Sequence, residues 1–258
     1  GEGNPDDYYG VNNATLVNGA GYGQGRVGEA FLLDGTDDFV QVQTPVGLPV
    51  GNEPRTMELW FKTPRDLVAT QEAALVQYGT VAGSQMYGLI FSGNCDGKLY
   101  FYGHGNDLCG TTTVQPDTWY HGAVTFDGAT LNLYLNGRLE ASKSTTLGTV
   151  LDGNGLTMGY RSPDSRWQGE LDEVRIHTAA LTTPEIEDIY KAREAGVCGR
   201  CGEPPSGMTN WWGGDGNWYG GGGWYGGGGG YWGADGAWGW GGVRGGSGHS
   251  GGSGRGGG

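Results

Sequence analysis

The stretch that decides the fold reads Ala30-Phe31-Leu32-Leu33-Asp34-Gly35-Thr36-Asp37-Asp38-Phe39-Val40-Gln41-Val42. Two short apolar runs flank a polar segment whose Asp-Gly and Asp-Asp pairs favour a turn. Apolar runs of this length, bounded by turn residues, read as strands rather than helices. The same unit recurs downstream. Met57-Glu58-Leu59-Trp60-Phe61, Ala74–Tyr78, Tyr87–Phe91 and Leu99–Tyr102 are further short runs, followed by Trp119–Phe126 and Leu131–Leu135. Asn136-Gly137 is a two-residue hairpin turn, because both positions tolerate positive φ. Asp127-Gly128 and Asp152-Gly153-Asn154 are turn sequences of the same kind. Many short strands at near-regular spacing predict an all-β, two-sheet antiparallel jelly-roll sandwich.

One helix breaks the β pattern. Thr182 or Thr183 caps it, Pro184 takes the first turn, and Glu185 stands three residues after Thr182 as in a capping box. Ile186, Ile189 and Tyr190 make its apolar face, and Gly196 ends it. The sandwich with this short C-terminal helix is expected to fill residues 1–196. A Cys/Pro/Gly linker follows over 197–207, then a strand-like segment over 208–217, then a Gly/Trp/Tyr-rich tail over 218–258.

Composition excludes several functions. The 258 residues carry a formal net charge of −13, and no Lys/Arg cluster stands out, so a phosphate backbone would be repelled. The surplus carboxylates suit calcium, and equally suit solubility alone. No apolar run is long enough to span a membrane. The chain opens at Gly1 without Met, which fits a processed or excerpted polypeptide from which any signal peptide is absent. Cys95 and Cys109 bracket a hairpin, so they are expected to form a disulfide and to place the chain in an oxidising compartment. Cys198 and Cys201 have metal-like spacing, but structural zinc takes four ligands and only one such pair exists. A local disulfide bracing the linker is the expectation there.

These residues resemble a known family. Gly28-Glu29-Ala30-Phe31 through Val40 is similar to the G-x-A-φ-x-φ-D-G-x-D-D-φ-V segment of laminin-G-like jelly rolls, within the concanavalin A-like lectin/glucanase superfamily. Met57–Lys62 resembles the family's core strand. Trp119-Tyr120-His121 with Leu133-Tyr134-Leu135-Asn136-Gly137 resembles its central hairpin. Gly169-Glu170-Leu171-Asp172-Glu173-Val174-Arg175-Ile176, followed by Ala180-Leu181 and the Thr-Pro-Glu helix, resembles its closing strand and helix. The resemblance covers about residues 1–195. It implies two stacked antiparallel sheets and an extracellular adhesive, matrix or accessory role. It also implies one calcium ion, held where the N-terminal acidic loop meets the closing strand, by Asp6 or Asp7 together with Asp172. Asp37 and Asp38 form a second acidic cluster that reads as a turn cap.

The superfamily also contains glucanases with catalytic carboxylates patterned Glu-φ-Asp-x-x-Glu. This chain offers Glu170-Leu171-Asp172 and then Arg175 at the acid's position, with Glu173 out of place. A retaining mechanism needs both carboxyl groups, so no enzymatic activity is expected. His121 reads as a core or edge histidine. Gly21-Tyr22-Gly23-Gln24-Gly25 evokes a phosphate loop, but without a βαβ unit around it the segment reads as a surface loop. A sugar-binding role would draw on exposed aromatics such as Tyr8, Tyr9, Tyr160 and Trp167, although core packing explains a lone Trp as well. Asn13-Ala14-Thr15 is an N-glycosylation sequon on a loop.

The two ends of the chain echo one another. It begins Gly1-Glu2-Gly3-Asn4, and the tail contains Gly214-Asp215-Gly216-Asn217 after Met208-Thr209-Asn210-Trp211-Trp212-Gly213. In the resembled family a Trp-Trp stretch of this form is the first strand. The chain therefore reads either as one unit of a tandem array or as a subunit whose Met208, Asn210, Trp211 and Trp212 strand completes a neighbouring copy. Strand donation of that kind is head-to-tail and builds filaments. The leading expectation is thus a non-catalytic extracellular structural or adhesive module that associates with itself. The alternative is a carbohydrate-binding module of a larger secreted protein. After Asn217, glycine-rich composition predicts disorder, although seven of the ten Trp lie from Trp211 onward and offer stacking surfaces.

Overall fold

A computed structural model describes residues 3–7, 10–64, 72–194, 210–212, 218–220, 230–232 and 238–240. The chain divides into two compact units, Gly1–Arg200 and Cys201–Gly258. In chain order the first unit opens with β1 (Thr15–Val17), β2 (Gly21–Gln24), β3 (Glu29–Asp34), β4 (Phe39–Val42) and β5 (Arg55–Lys62). Next come β6 (Ala73–Gly79), β7 (Met86–Ser92), β8 (Lys98–Tyr102), β9 (Leu108–Cys109), β10 (Tyr120–Phe126), β11 (Thr130–Leu135) and β12 (Arg138–Ser144). It closes with β13 (Leu156–Met158), β14 (Tyr160–Ser162), β15 (Ser165–Arg166), β16 (Gln168–His177) and the helix α1 (Thr183–Glu194).

Two seven-stranded sheets result. One runs β1-β4-β13-β6-β7-β8-β9 and the other β12-β11-β10-β5-β16-β3-β2, with antiparallel pairing throughout. Period-2 alternation decides what each strand buries. Met57, Leu59 and Phe61 of β5 meet Tyr87, Leu89 and Phe91 of β7 in one core. Phe61, Phe91 and Trp167 pack ring to ring there, with centroids 5.4 to 5.9 Å apart. The all-β sandwich read from the sequence is the fold.

The alternate residues face outward. On the second sheet α1 covers part of that face, with Ile186 packed on Ala123 and Tyr134. Its entry shows the Glu185 half of the expected capping box: the Thr182 backbone N–H and hydroxyl both donate to Glu185 Oε2, at 2.7 and 2.8 Å. Gly196 lies outside the described residues.

Two local features depart from the sequence reading. Gly21–Gln24, read as a loop, is an edge strand paired with β3, and Tyr22 packs on Phe31 with centroids 5.8 Å apart. Glycine has low strand propensity, and the tertiary pairing overrides it. β16 carries a register shift between Asp172 and Arg175, where Glu173 has φ of 52°. On its β3 side the ladder ends at Leu171, while among the described residues Arg175 to His177 pair with β5 alone.

In the second unit, Asn210–Trp212 pairs antiparallel with Trp218–Gly220, and Gly230–Trp232 with Trp238–Trp240.

Candidate functional site

The registers of β3, β16 and β5 set four outward side chains in a row. Leu32 is the cross-strand partner of Glu170, and Glu170 is the partner of Lys62. Lys62 Nζ lies 2.8 Å from Glu170 Oε1 and 5.1 Å from the centre of the Trp119 ring. An apolar side chain, a carboxylate, an ammonium and an indole thus succeed one another across the sheet. Leu32 is 42% exposed, and Trp119 is half-buried. Part of this row floors a cavity of about 590 Å³, a size suited to a small ligand. Asn18, Asp34, Asp38, Asp117 and Gln168 complete its polar wall. The turn after β3 shapes that wall: Gly35 has φ of 79°, and a Cβ on it would stand 2.7 Å from the Cβ of Gln168.

Carboxylates dominate the cavity, and the one cation lining it among the described residues is tied to Glu170. Asp38 is buried, and burial raises its carboxyl pKa. The bond from the Asp34 amide opposes that rise, while the charges of Asp34 and Asp37 add to it. Asp34, Asp37 and Asp38 bring their carboxylate oxygens within 4.8 Å of one another. Asp34 Oδ1 also accepts from the Thr36 amide at 2.7 Å, and Asp38 Oδ2 from the Asp34 amide at 3.1 Å, so the segment is a turn closed by its own acids, as its sequence predicted.

The residues expected to hold calcium are arranged otherwise. Asp6 is exposed, and Asp7 Oδ2 accepts from the amides of Val11 and Asn12, at 3.4 and 3.2 Å. Asp172 is fully buried. Its Oδ2 accepts from the Val27 amide at 2.9 Å and its Oδ1 from the Glu173 amide at 2.8 Å, and burial raises its pKa. Calcium takes about six to eight oxygen ligands. Amide donors already hold Asp7 and Asp172.

The glucanase-like pattern is likewise arranged for structure. Glu170 pairs with Lys62, Asp172 is closed off, and the bulge re-aims the side chains beyond it. Arg175 reaches Glu173 at 2.5 Å and Glu58 at 3.7 Å. Glu58 is the residue that sequence reasoning passed over. Its carboxylate lies 2.6 Å from His121 Nε2 and 3.4 Å from His177 Nε2, fully buried beneath the region of α1. Tyr190 of α1 stacks on the neighbouring Trp60, with centroids 5.7 Å apart.

Of the aromatics considered for sugar contact, Trp167 is wholly in the core between Phe61 and Phe91 and offers no platform, which is the core-packing alternative for that residue. Tyr160 is half-buried on the first sheet's outer side, and Tyr8 and Tyr9 lie outside the described residues. Trp119 and Lys62 escaped notice because Lys62 closes β5 and Trp119 stands just before β10. Their outward parity was the available signal. Asn13 is exposed, and its Oδ1 accepts from the Asp7 amide at 3.0 Å. Cys95 and Cys109 form a disulfide with Cα atoms 5.6 Å apart. Cys198, Cys201 and Met208 lie outside the described residues, while Asn210, Trp211 and Trp212 are already paired in the tail hairpin.

The laminin G family model of the concanavalin A-like lectin/glucanases superfamily matches residues 34–187, more than half of the chain. The chain belongs to this superfamily. Solved structures with similar folds include domain 4 of AbnA, a GH43 extracellular arabinanase from Geobacillus stearothermophilus, in complex with arabinotriose. That likeness has a TM-score of 0.55 at 20% identity, over 69% of this chain and 88% of the other. The binding domain of Paraclostridial Mosquitocidal Protein 1 matches with a TM-score of 0.58 at 19% identity, over 70% of this chain and 47% of that one. The receptor binding domain of botulinum neurotoxin D matches at 0.53 and 15%, over 70% and 48%. The chain spans about half the length of these toxin domains. No curated protein sequence matches it significantly. Among the described residues, no helix is long and apolar enough to cross a membrane.

Proposed function

We propose that this superfamily domain is a non-catalytic carbohydrate-binding module of a secreted protein. The observation that carries the reading is the Leu32–Glu170–Lys62–Trp119 row at the cavity of about 590 Å³. Sugars present apolar C–H faces and a rim of hydroxyl groups. An aliphatic side chain and an indole suit the first. Carboxylates, amides and an ammonium suit the second. The acidic wall favours a neutral sugar over a uronic or sulfated one. The likeness to an arabinanase domain held with arabinotriose supports the class of ligand, and the Cys95–Cys109 disulfide supports an oxidising, extracellular setting. Calorimetry with arabino- and gluco-oligosaccharides tests this. Binding that Lys62→Ala or Trp119→Ala weakens at least several-fold supports the module; a domain that binds none of them is something else.

A second reading is self-association, favoured by one observation. Beyond the bulge, Arg175 to His177 of β16 have a partner strand on the β5 side alone among the described residues. An open ladder edge is a template for a strand from another copy. The Met208–Trp212 segment is the candidate donor, and it would have to leave its pairing with Trp218–Gly220. Light scattering on the full chain beside a chain ending at Pro205 separates the readings. Oligomers of the full chain alone support donation, and two monomers dismiss it.

A further inference from the structure

The outer face of the first sheet carries its own row, across five strands. Gln41 of β4 opposes Thr157 of β13, Thr157 opposes Gln77 of β6, Gln77 opposes Gly88 of β7, and Gly88 opposes Tyr102 of β8. Gly88 is what makes room for Gln77, since a Cβ there would stand 2.7 Å from the Cβ of Gln77. Gln77 is 7% exposed and sits at a cavity of about 70 Å³ that also touches Met86, Thr157, Tyr160 and Arg161. That volume takes a hydroxyl or hydroxymethyl group.

The hydrogen bonding of Gln77 is half complete. Its Nε2 donates to the Tyr160 carbonyl at 3.3 Å, and the Thr157 hydroxyl donates to the same carbonyl at 2.8 Å. Turning the amide over would set oxygen against oxygen, so the assignment is fixed by its partner. Gln77 Oε1 is left buried without a donor. A buried, unsatisfied acceptor is costly and calls for a donor from outside the chain.

The surroundings define that donor. The Arg161 guanidinium is held by Glu72 and stacks on Tyr102 at 4.9 Å. The Asp152 carboxylate accepts from the backbone and side-chain nitrogens of Asn154, both at 2.9 Å. Both charges have a partner within the chain, but Arg161 Nε, like Gln77 Oε1, is buried without one, so the cavity offers a sugar hydroxyl a donor as well as a neutral acceptor. Met86 and the exposed Val81 supply an apolar wall.

We propose that this cavity is a hydroxyl-anchoring subsite for a neutral sugar chain, with Gln77 Oε1 accepting the sugar's O–H. It lies on the opposite sheet from the Lys62–Glu170 row. The domain therefore grips carbohydrate on both faces and can bridge two chains. The inference goes beyond the first cavity and shares with it only the class of ligand.

Titration of the full chain with arabinotriose and cellotriose, followed by amide NMR, tests it. The Gln77 side-chain amide and the backbone signals of Tyr160 and Arg161 should move saturably. Gln77→Met should weaken that response about three- to tenfold, the worth of one neutral hydrogen bond. The response at Lys62 and Glu170 should be unchanged. Movement at Lys62 and Glu170 alone overturns the second subsite and leaves the first reading standing. Movement at neither overturns both. If Gln77→Met does not fold, a crystal of the unaltered chain soaked in arabinotriose decides. A sugar hydroxyl at Gln77 Oε1 supports the subsite, and an ordered water only, undisplaced by sugar, overturns it.

Discussion

Glu58 points away from the sandwich core on β5 and is still only 1% exposed. Burial alone would raise its carboxyl pKa. Hydrogen bonds from His121 and His177 and the charges of His121 and Arg175 outweigh that cost and hold it well below the usual carboxylate range. Glu58→Gln removes the charge that the Arg175 guanidinium and the two imidazoles face, and breaking a buried pair this way costs about 3–5 kcal/mol. Urea unfolding at pH 7 reads it. A loss under about 1 kcal/mol, the worth of a surface pair, would mean the network is not a unit. The depressed value sets the sign of the pH dependence. The contribution of Glu58 is full above the unfolded-state pKa of about 4.3 and is lost as pH falls below it towards the folded value. The gap between the protein and Glu58→Gln should therefore narrow on going from pH 5 to pH 3. Alternation in Met57–Phe61 already sets Glu58 and Trp60 on the face away from Leu59. It cannot supply the neighbours. His121 and His177 reach Glu58 through the β10 and β16 ladders, which are set by turns and by a bulge that no local pattern announces.

The elements were legible wherever their punctuation was chemical. Asn136-Gly137 is a hairpin turn with φ of 51° and 74°, as the pair of residues demands. Thr182 and Glu185 form the Glu185 half of the capping box that their spacing predicted. Elements made by tertiary pairing alone were not legible, such as the glycine-rich β2 and the two-residue β15. The hairpin also has a second duty. A Cβ on Gly137 would stand 3.1 Å from the Glu187 Cα and 3.2 Å from the Tyr190 Cβ, so the turn is where α1 rests on the sheet. Gly137→Ala should cost about 1–2 kcal/mol for the left-handed conformation, together with a displaced helix seen as reduced Tyr190 packing on Trp60. Thr182→Ala should cost about 1 kcal/mol as a lost cap, with the sheets unaffected. Both are read by chemical denaturation. If Gly137→Ala proves neutral, the turn and the helix are not in contact in solution.

At the scale of the molecule, one core between two sheets turns each sheet's polar residues outward and apart, so one fold carries two candidate contact faces. The first cavity draws on residues from Asn18 to Glu170, and this is why no local stretch of sequence revealed it. The disulfide belongs to the other sheet, at its β8–β9 edge, and none of residues 95–109 lines that cavity. Stability and binding should therefore come apart when it is removed. The bridge closes a loop of sequence separation 14, and chain-entropy reasoning assigns such a loop about 3 kcal/mol. For a domain near this size that is about 2–4 °C of Tm per kcal/mol. Replacing Cys95 and Cys109 together by Ala should lower Tm by about 6–12 °C. Oligosaccharide affinity at the Lys62–Glu170 row should stay unchanged at temperatures well below the transition. Calorimetric scans beside binding isotherms measure both on one sample. A fall in affinity matching the fall in Tm would mean that the edge and the cavity are one cooperative structure, and that the cavity is not preformed by the core alone.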